Sequence, residues 1–383
     1  MISHLSIARF KAIRNASLSL RSLNLFAGIN GMGKSTCLQS LLLLRQSWTA
    51  RTLPTSGLLL RGPLADLGRG EDVLHQFENE ESVEFQIATQ DGSATWTFSV
   101  EKGRGLDHEI LPLINFKADY PQSISGDSAA YQQSPFSAGF RYLSAERVRP
   151  EVAYDTSFYS VRELDQIGSR GEFAVHYLAE HQHRPLGIST LQHPELAANQ
   201  IDLLSNVRAW MGEVSPGISL AVQQYPGINK ASVNFDYDTG PGSRFANPLR
   251  PTNVGFGISY CLPIVVAALS AQPGDTLLVE NPESHLHPSG QSRIGRLLAL
   301  VAAGGVQVLV ETHSDHVLNG IRVCVKRGEL APVDVAIFSF DRPRGDPAHD
   351  VTITSPTINR DGKIDPWPRG FFDEAEKLLF ELL

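Results

Sequence analysis

The feature that most constrains this chain is the run Gly28-Ile29-Asn30-Gly31-Met32-Gly33-Lys34-Ser35-Thr36, close to the start of its 383 residues. The run fits the pattern G-x-x-x-x-G-K-[ST], in which glycines let successive backbone N–H groups close around phosphate oxygens. Residues 23–27 have the pattern of a short buried strand, and residues 37–44 have that of a helix. A strand, this loop and the positive end of a helix predict a nucleoside triphosphate site. We expect Lys34 to face the β- and γ-phosphates and the Ser35 hydroxyl to bind Mg²⁺.

The bulk composition is that of an ordinary folded protein. With 42% hydrophobic and 19% charged residues, the chain can bury a large core. Its most apolar segment, residues 258–269, is too short to cross a membrane, so we expect no membrane span. No leader-like pattern is visible, and the three cysteines have neither metal-ligand nor disulfide spacing, which predicts a cytoplasmic protein. A net charge of −8 argues against a surface coated with nucleic-acid-binding charge but is compatible with a local basic face.

Apolar periodicity predicts an α/β chain in which the parts of the site are far apart in sequence. Two strands precede the loop strand, and a hairpin turns at Asp91-Gly92. We interpret residues 103–140 as a long irregular insert and residues 191–211 as one amphipathic helix. Helices alternate with strands from Gly255 onward, which is typical of an α/β core. Further strands are predicted at residues 140–143, 218–222 and 232–237.

Acidic residues follow an apolar run at residues 275–280. A carboxylate at the carboxyl end of a core strand beside a phosphate loop can hold Mg²⁺ or orient water, and Glu280 and Glu283 are the candidates. The pattern is weak by itself, because an acid after an apolar run is common. Two histidines follow, His285 and His287, but no carboxylate or cysteine completes a known metal spacing around them.

The next predicted strand, residues 306–310, ends in Glu311-Thr312-His313-Ser314. A histidine at the tip of a core strand can hydrogen-bond a γ-phosphate. The place of His313 one strand after the acidic edge favours that role over a structural one. Residues 253–260 precede the most apolar helix and are glycine-rich, which indicates a helix start. A turn of this kind can also bind an anion.

These four elements, in this order, resemble the ABC-type ATPase heads of the RecF, SMC and OLD-like families. The phosphate loop is similar to that group's G-x-N-G-x-G-K-S-T sequence, and Gly255-Phe256-Gly257 resembles the signature loop that caps a partner's ATP. Residues 277–288 resemble Walker B with its P-E-x-x-L-H-P continuation, and residues 311–314 resemble the switch-histidine segment. Residues 7–13 resemble the group's first strand. Asp361-Gly362-Lys363 and Trp367-Pro368-Arg369-Gly370-Phe371-Phe372 resemble the C-terminal extension of stand-alone OLD-like AAA ATPases of bacteria.

The resemblance implies a single P-loop head of the α/β class, with a mixed core sheet, an antiparallel β-subdomain and a helical insert. It implies an N-terminal lobe (1–100), an insert and helical region (101–250), a lobe with the signature, Walker B and switch segments (251–345) and a C-terminal extension (346–383). It implies ATP and Mg²⁺ as cofactors, with Ser35 and Glu280 at the metal. The implied nucleotide-binding residues are Gly28, Asn30, Gly31, Gly33, Lys34, Ser35 and Thr36, and in a second copy Gly255, Phe256 and Gly257.

Two departures from the family pattern bear on chemistry. Asn281 stands where the catalytic carboxylate belongs, and an amide is not basic at neutral pH. Either Glu283 or His313 then orients the water, or hydrolysis is slow and the protein works as an ATP-gated clamp. The 70 residues after His313 contain no Asp-x-Asp metal cluster, which predicts a head without a built-in Toprim nuclease. The chain has no heptad run, so we expect no long coiled-coil arm.

Three functions remain open on the sequence. The leading one is an ATPase that dimerises through shared ATP and regulates a separately encoded effector, such as a nuclease, in defence against phage or plasmids. The second is a RecF-like DNA repair ATPase. Arg141, Arg147 and Arg149 could contact DNA phosphate, or a γ-phosphate across a dimer; a solvated or salt-bridged loop is the alternative for these arginines. The third, a transport ATPase, ranks last because residues 71–140 offer no recognisable helical subdomain for coupling.

Overall fold

The computed structural model of the protein describes residues 1–77, 79–100, 109–120, 126–237, 248–342, 350–368, 371–372 and 374–382. The chain divides into two compact units. The first comprises Met1–Phe140, Val335–Thr357 and Ile364–Leu383, and the second comprises Arg141–Asp334 and Ile358–Lys363. Each unit is described below by itself.

Seventeen strands occur in the described part of the chain. They are β1 (Ile2–Phe10), β2 (Ile13–Ser19), β3 (Leu23–Gly28), β4 (Gly57–Leu59), β5 (Ser82–Thr89), β6 (Ser93–Ser99), β7 (Ile110–Asp119), β8 (Phe140–Leu143), β9 (Tyr154–Asp155), β10 (Ile218–Tyr225), β11 (Lys230–Tyr237), β12 (Thr276–Glu280), β13 (Gln307–Glu311), β14 (Val335–Asp341), β15 (Thr352–Thr354), β16 (Thr357–Ile358) and β17 (Ile364–Asp365).

The same residues contain eight α-helices. They are α1 (Lys34–Thr49), α2 (Gly70–Val73), α3 (Ala174–Glu180), α4 (Leu203–Val214), α5 (Phe256–Ser270), α6 (Pro288–Ala303), α7 (Asp315–Lys326) and α8 (Glu374–Leu382). No helix in the described ranges is long and apolar enough to cross a membrane.

The first unit contains an antiparallel sheet in the order β2-β1-β5-β6-β7-β4. The predicted hairpin is confirmed: β5 and β6 pair from Ser82↔Ser99 to Ala88↔Ser93, around the Asp91-Gly92 turn. Alternate side chains of both strands are buried, because successive residues of a strand point to opposite faces.

The interpretation of residues 103–140 as an irregular insert is wrong where the structure describes them. Ile110–Asp119 forms β7, which pairs with β6 and with β4. Apolar alternation is weak in β7, since the strand contains Pro112 and exposes Ile114. The strand is held instead by neighbours distant in sequence, including Trp96, whose ring lies 5.6 Å from that of Phe116. Residues 101–108 and 121–125 lie outside the described part.

The strand that precedes the phosphate loop, β3, pairs in parallel with β14, from Leu23↔Val335 to Gly28↔Phe340. Its residues Leu23–Ala27 are buried, as expected for a strand covered on both faces. β15 adds to β14 in the antiparallel direction, so this part of the first unit is a mixed sheet. The predicted strand and the helix after the loop are both confirmed.

In the second unit, β12 and β13 pair in parallel from Thr276↔Gln307 to Glu280↔Glu311, and β8 lies on the other side of β12. Helices α5, α6 and α7 alternate with these strands, which confirms the predicted α/β pattern after Gly255. β10 and β11 form the predicted antiparallel pair, and β9 adds to β11.

The single amphipathic helix predicted for residues 191–211 is shorter at its start. Helix α4 begins at Leu203, because the side chain of Asp202 accepts a hydrogen bond from the Ser205 N–H at 2.9 Å and caps it. Pro194 disfavours a helical conformation at His193, so the segment before the cap runs as a loop. The side chain of Asn206 fastens this loop by accepting from the His193 N–H at 2.8 Å.

Candidate nucleotide-binding site

The phosphate loop of the first unit has the backbone geometry that its glycines predict. Gly28, Gly31 and Gly33 have φ values of 138°, 77° and 87°, in the region that residues with a Cβ seldom adopt. A Cβ on Gly28 would lie 2.4 Å from the Phe340 carbonyl oxygen, so β3 and β14 can approach each other only with glycine there. The loop is therefore fixed in shape by its own sequence.

Helix α1 starts directly after Gly33 and presents its positive end to the loop. Its first turn contains no acidic residue, and within the described residues no side chain caps it. Those N–H groups are the donors that bind a phosphate in loops of this kind. The start of α1 fits an anionic ligand in charge and in hydrogen-bonding character.

Lys34 is only 3% exposed. Its Nζ donates to the carbonyl oxygens of Gly28 at 2.9 Å and Ile29 at 2.8 Å, which holds the ammonium group within the loop. Thr36 is buried one residue after Ser35, in the first turn of the helix. The predicted loop residues thus form one compact element of the first unit.

A cavity of about 360 Å³ adjoins the loop and was not predicted. It is lined by residues of the β1–β2 turn and of two other segments, among them Lys11, Ala12, His75, Phe77 and Arg342. It adjoins the loop because a Cβ on Gly33 would lie 3.5 Å from that of Ala12. Burial lowers the pKa of Lys11, whose Nζ donates to Gln39 on α1 at 2.8 Å. Tertiary contacts alone bring these residues together, so no sequence pattern could have found them.

In the second unit, the carboxylate of Glu280 ends β12. Its Oε2 accepts a hydrogen bond from the Ala145 N–H at 3.1 Å, and its carboxylate also accepts one from the Tyr142 hydroxyl. Burial raises the pKa of Glu280, and these donors and the Arg147 charge oppose that rise. Burial and the nearby Glu280 carboxylate raise the pKa of Tyr142.

Asn281 follows Glu280 in a left-handed backbone conformation, with φ of 44°. Its side-chain oxygen is buried and has no hydrogen-bond partner in the described residues. The backbone at this position thus has a conformation that asparagine adopts more readily than most other residues.

Glu283 connects the Walker B segment with the switch segment. One of its carboxylate oxygens accepts from the Thr312 hydroxyl and the other from the His313 N–H, both at 2.7 Å. The structure therefore brings Glu283 and His313, the two candidates for orienting water, into direct contact. The His313 side chain is exposed.

The signature segment lies at the start of α5, for which Gly255 is the N-cap. Phe256 is 44% exposed, and its ring centre lies 4.7 Å from that of His285 and 5.2 Å from that of Tyr260. A Cβ on Gly257 would lie 2.2 Å from the His285 carbonyl oxygen. Gly257 is therefore required for packing within the unit. Gly255 has no such contact, since the nearest atom would be 3.9 Å away.

The two histidines after Walker B have structural surroundings. His285 packs on the rings of Phe256 and Tyr260, and its backbone has φ of 63°. His287 is the N-cap of α6, where its Nδ1 accepts from the Ser289 N–H at 3.3 Å.

The three arginines considered for phosphate contacts do not form a cluster. Arg141 is buried and binds Ser270 and Asp165, the latter at 2.7 Å. Arg147 is buried and donates to backbone carbonyls of the Walker B segment. Only Arg149 is exposed, and it lies 3.2 Å from Glu151. The interpretation of Arg141 and Arg147 as surface phosphate ligands is therefore wrong, because their guanidinium groups satisfy acceptors inside the unit.

The sequence matches a protein-family model described as AAA domain, putative AbiEii toxin, Type IV TA system, over residues 23–319. The chain belongs to this family of AAA ATPases. Residues 330–382 match a second family, described as protein of unknown function (DUF3696). Among curated proteins, none matches this sequence.

Solved structures with a similar fold are heads of SMC proteins. One is a crystal structure of the SmcHead bound to the C-winged helix domain of ScpA: it is 12% identical, has a TM-score of 0.52, and the match covers 94% of this chain and 98% of that one. Another, derived from Pyrococcus furiosus, is the Smc head domain with an extended coiled coil bound to the C-terminal domain of ScpA. It is 13% identical with a TM-score of 0.50, over 100% of this chain and 99% of that one. The predicted fold class, an ABC-type P-loop head, is thus confirmed.

Proposed function

We propose that this protein is an ATPase that dimerises through shared ATP and regulates a separately encoded effector. The observation that carries the proposal is the phosphate loop: three glycines at positive φ, a buried Lys34 and a helix start without a side-chain cap among the described residues are the features of an anion-binding element. The match to an AAA family supports it.

The residues of the first unit define how ATP would be held. Backbone N–H groups of the loop and of the first turn of α1 would donate to the phosphate oxygens. Lys34 would turn from the carbonyls of Gly28 and Ile29 to the β- and γ-phosphates, exchanging neutral acceptors for charged ones. The neighbouring cavity, with Lys11, His75 and Phe77 in its lining, has the size and polarity for the ribose and base.

The donor set fits Mg²⁺, because the Ser35 hydroxyl and the Glu280 carboxylate are oxygen ligands of the kind that this ion prefers. When bound, Mg²⁺ neutralises charge on the phosphates. Glu280 is held by the Ala145 N–H and the Tyr142 hydroxyl, so its carboxylate is oriented before any ligand arrives.

Glu283 and His313 would orient the attacking water in place of the missing Walker B glutamate. They form one connected element, since Glu283 accepts from the His313 backbone and from Thr312. Both Glu283 oxygens already accept a hydrogen bond, which favours a role in positioning and leaves the exposed His313 ring to face the γ-phosphate. We expect slow turnover from such a site, because neither group replaces a freely placed carboxylate base.

The start of α5 is proposed as the surface that closes on the ATP of a second copy. Gly255 is exposed, the helix has no side-chain cap among the described residues, and Phe256 is exposed beside it. In a two-fold dimer, each of the two ATP molecules would lie between the phosphate loop of one copy and the α5 start of the other. Each chain would then use both of its helix starts to bind an anion.

The proposed role in defence and the proposed partner protein are supported by the comparisons with known proteins. The family description names a toxin of a Type IV TA system, which supports a role in defence against phage or plasmids. The similar SMC heads were solved with a bound ScpA domain, which supports a partner protein for this head too. The DNA-repair alternative is less supported, because Arg141 and Arg147 are directed inward.

The experiment that tests the proposal is purification from the native operon with mass determination, with and without ATP. We expect a mass that rises with ATP to that of a dimer and a co-purifying second gene product. A monomer with ATP, with no bound nucleotide, would contradict the proposal. A membrane permease as the co-purified product would favour transport instead.

A further inference from the structure

A buried arginine, Arg147, lies between the Walker B segment and the signature helix of the second unit. It is 3% exposed. Its Nη1 donates to the carbonyl oxygen of Glu280 at 2.8 Å and its Nη2 to that of Asn281 at 2.6 Å. Nη1 also donates to the Ser144 carbonyl oxygen at 3.0 Å. The Arg147 side chain thus holds the backbone of Glu280, the proposed Mg²⁺ ligand, and that of Asn281.

The same arginine contacts α5 through Tyr260. Its guanidinium carbon lies 4.8 Å from the centre of the Tyr260 ring, a cation–π distance. Its backbone N–H donates to the Tyr260 hydroxyl at 3.0 Å, and that hydroxyl donates to the Ala145 carbonyl oxygen at 2.9 Å. Tyr260 lies one helical turn after Phe256, and their rings are 5.2 Å apart.

The side chain and the backbone of Glu280 are held by one short segment, residues 144–147. The Ala145 N–H donates to the Glu280 carboxylate, and Arg147 donates to the Glu280 carbonyl. Tyr260 holds that segment at two points. A shift of the first turns of α5 would therefore be transmitted to the carboxylate through few, strong contacts.

Burying this charge is costly, and burial lowers the pKa of Arg147. Arg141, a second buried arginine, offsets that cost with the carboxylate of Asp165. Arg147 instead uses its donors on three main-chain carbonyls. An apolar side chain would fill the space at a lower desolvation cost. The role of the guanidinium therefore lies in the hydrogen bonds that it donates to these carbonyls.

We infer that Arg147 is a positioning residue that couples the start of α5 to the end of β12. Closure on a second nucleotide at Gly255 and Phe256 thereby sets the orientation of Glu280. The inference rests on the proposed function and adds the internal connection by which dimer closure would control hydrolysis.

The test is steady-state phosphate release by Arg147→Met in the full chain, with ATP affinity measured by calorimetry and association by light scattering. We expect kcat to fall about 10–100-fold, as misplacement of a catalytic group by a fraction of an ångström does. The ATP dissociation constant and ATP-dependent association should stay within about twofold of wild type, since only the coupling is removed. Replacing a residue with only a structural role would not lower kcat while leaving ATP affinity and association unchanged.

Tyr260→Phe is the milder second variant, because it keeps the ring and removes only the hydroxyl. Loss of that hydrogen-bonded group should lower kcat about fivefold. If both residues act through one connection, the double variant should be no slower than Arg147→Met alone. This variant keeps the inference testable if Arg147→Met fails to fold.

Arg141→Met is the matched control, since it also removes a buried arginine of the same unit, but one whose guanidinium binds Asp165 and the Ser270 hydroxyl at the far end of α5 and not the carbonyls of Glu280 and Asn281. It should lower thermal stability and leave kcat unchanged at a temperature well below its unfolding. Wild-type kcat in Arg147→Met and Tyr260→Phe, or an equal loss in Arg141→Met, overturns the inference and leaves the proposed function standing. A wild-type protein that neither binds nor hydrolyses ATP overturns both.

Discussion

The backbone N–H of Asn281 donates to the carbonyl oxygen of Glu311 at 2.8 Å, so the pairing with β13 continues one residue beyond the end of β12. Asn281 makes this bond with φ of 44°, a conformation that asparagine and glycine tolerate better than glutamate does. The residue at which the family resemblance implies a catalytic glutamate thus also has a left-handed backbone conformation.

Replacing Asn281 tests whether the backbone conformation or the side-chain amide accounts for asparagine at this position. Asn281→Glu should lower the free energy of unfolding by about 1 kcal/mol, because a longer side chain is strained at this φ. Asn281→Gly should be close to wild type. Urea denaturation measures both, and equal stability of Asn281→Glu and Asn281→Gly would show that the backbone exerts no such preference. If Asn281→Glu also hydrolyses ATP faster, the amide is what slows the wild type.

Lys34→Ala should weaken ATP binding by about 10–100-fold or more. Lys34 is the charge held inside the loop, and its loss removes a charge-assisted contact to the phosphates, worth about 1.5–3 kcal/mol or more in a buried site. Lys230→Ala is the control, because Lys230 forms a surface pair with Asp155 at 2.7 Å in the other unit. Calorimetry that gives Lys34→Ala the wild-type affinity would remove the nucleotide assignment.

Gly255 and Gly257 should respond differently to the same small change. Gly257→Ala places a Cβ 2.2 Å from the His285 carbonyl, so the unit should lose stability by several kcal/mol. Gly255→Ala meets nothing closer than 3.9 Å and should fold normally. Thermal unfolding compares the two, and an equal melting temperature would contradict this packing.

Gly255→Arg then tests the dimer without disturbing the fold, because position 255 is exposed. The added bulk should prevent ATP-dependent association while leaving ATP affinity of the monomer intact. Light scattering with and without ATP measures the effect. Unchanged ATP-dependent association in this variant would mean that α5 does not form the dimer contact.

Glu283→Gln and His313→Ala separate the two groups proposed to orient water. A glutamine can accept only one of the two hydrogen bonds that Glu283 receives from Thr312 and His313. We expect each variant to lower the rate of phosphate release by about 10²-fold, the lower range for loss of a general base. Wild-type rates in both variants would place the catalytic group elsewhere, and rapid turnover by the unmodified protein would exclude the slow clamp.

His176 gives the second unit a pH-dependent stability. Its side chain is buried, accepts from the Ser157 N–H at 3.2 Å and packs on the Phe158 ring. Burial lowers the pKa of His176 from 6.5. The unfolded chain therefore takes up a proton below pH 6.5 that the folded chain does not, and the free energy of unfolding falls as the pH falls through that window.

His176→Gln keeps an acceptor for Ser157 and removes the titration. Its unfolding free energy should decline less steeply between pH 6.5 and 5, by up to about 1.4 kcal/mol per pH unit. His4→Gln is the control, because His4 is only half-buried, lies in the other unit and contacts the Ser17 hydroxyl. Parallel pH dependences for wild type and His176→Gln would show that this histidine is not the source.

The parts of the fold that sequence predicts are those in which local pattern and tertiary role agree. The loop between β3 and α1 is one, since glycine spacing, a buried strand and a leucine-rich helix all specify it. β7 was missed because its partners, and not its own alternation, hold it extended. The start of α4 was misplaced because Asp202 caps the helix about three turns after residue 191, where the apolar spacing begins.

The same distinction between local sequence pattern and tertiary contacts applies to the candidate nucleotide-binding site. Glu280, Glu283 and His313 follow strand ends, where sequence can place them. The direction of a long side chain cannot be predicted in this way: Arg147 reaches acceptors 133 and 134 residues away, and only the packed unit shows that it faces inward. Arg141 is similar, with its partner Ser270 129 residues away.

The pairing of β3 with β14 has a consequence for synthesis. Leu23 leaves the ribosome early, yet its partner Val335 is made more than 300 residues later, after Arg141–Asp334 of the second unit. Strands that pair over such distances form slowly, because the intervening chain must be ordered first. The Gly28 turn is clamped against Phe340 in that pairing, so a nascent chain has the phosphate-binding sequence long before it has the phosphate-binding shape. If the loop binds ATP as proposed, it does so only after nearly all of the chain has been made.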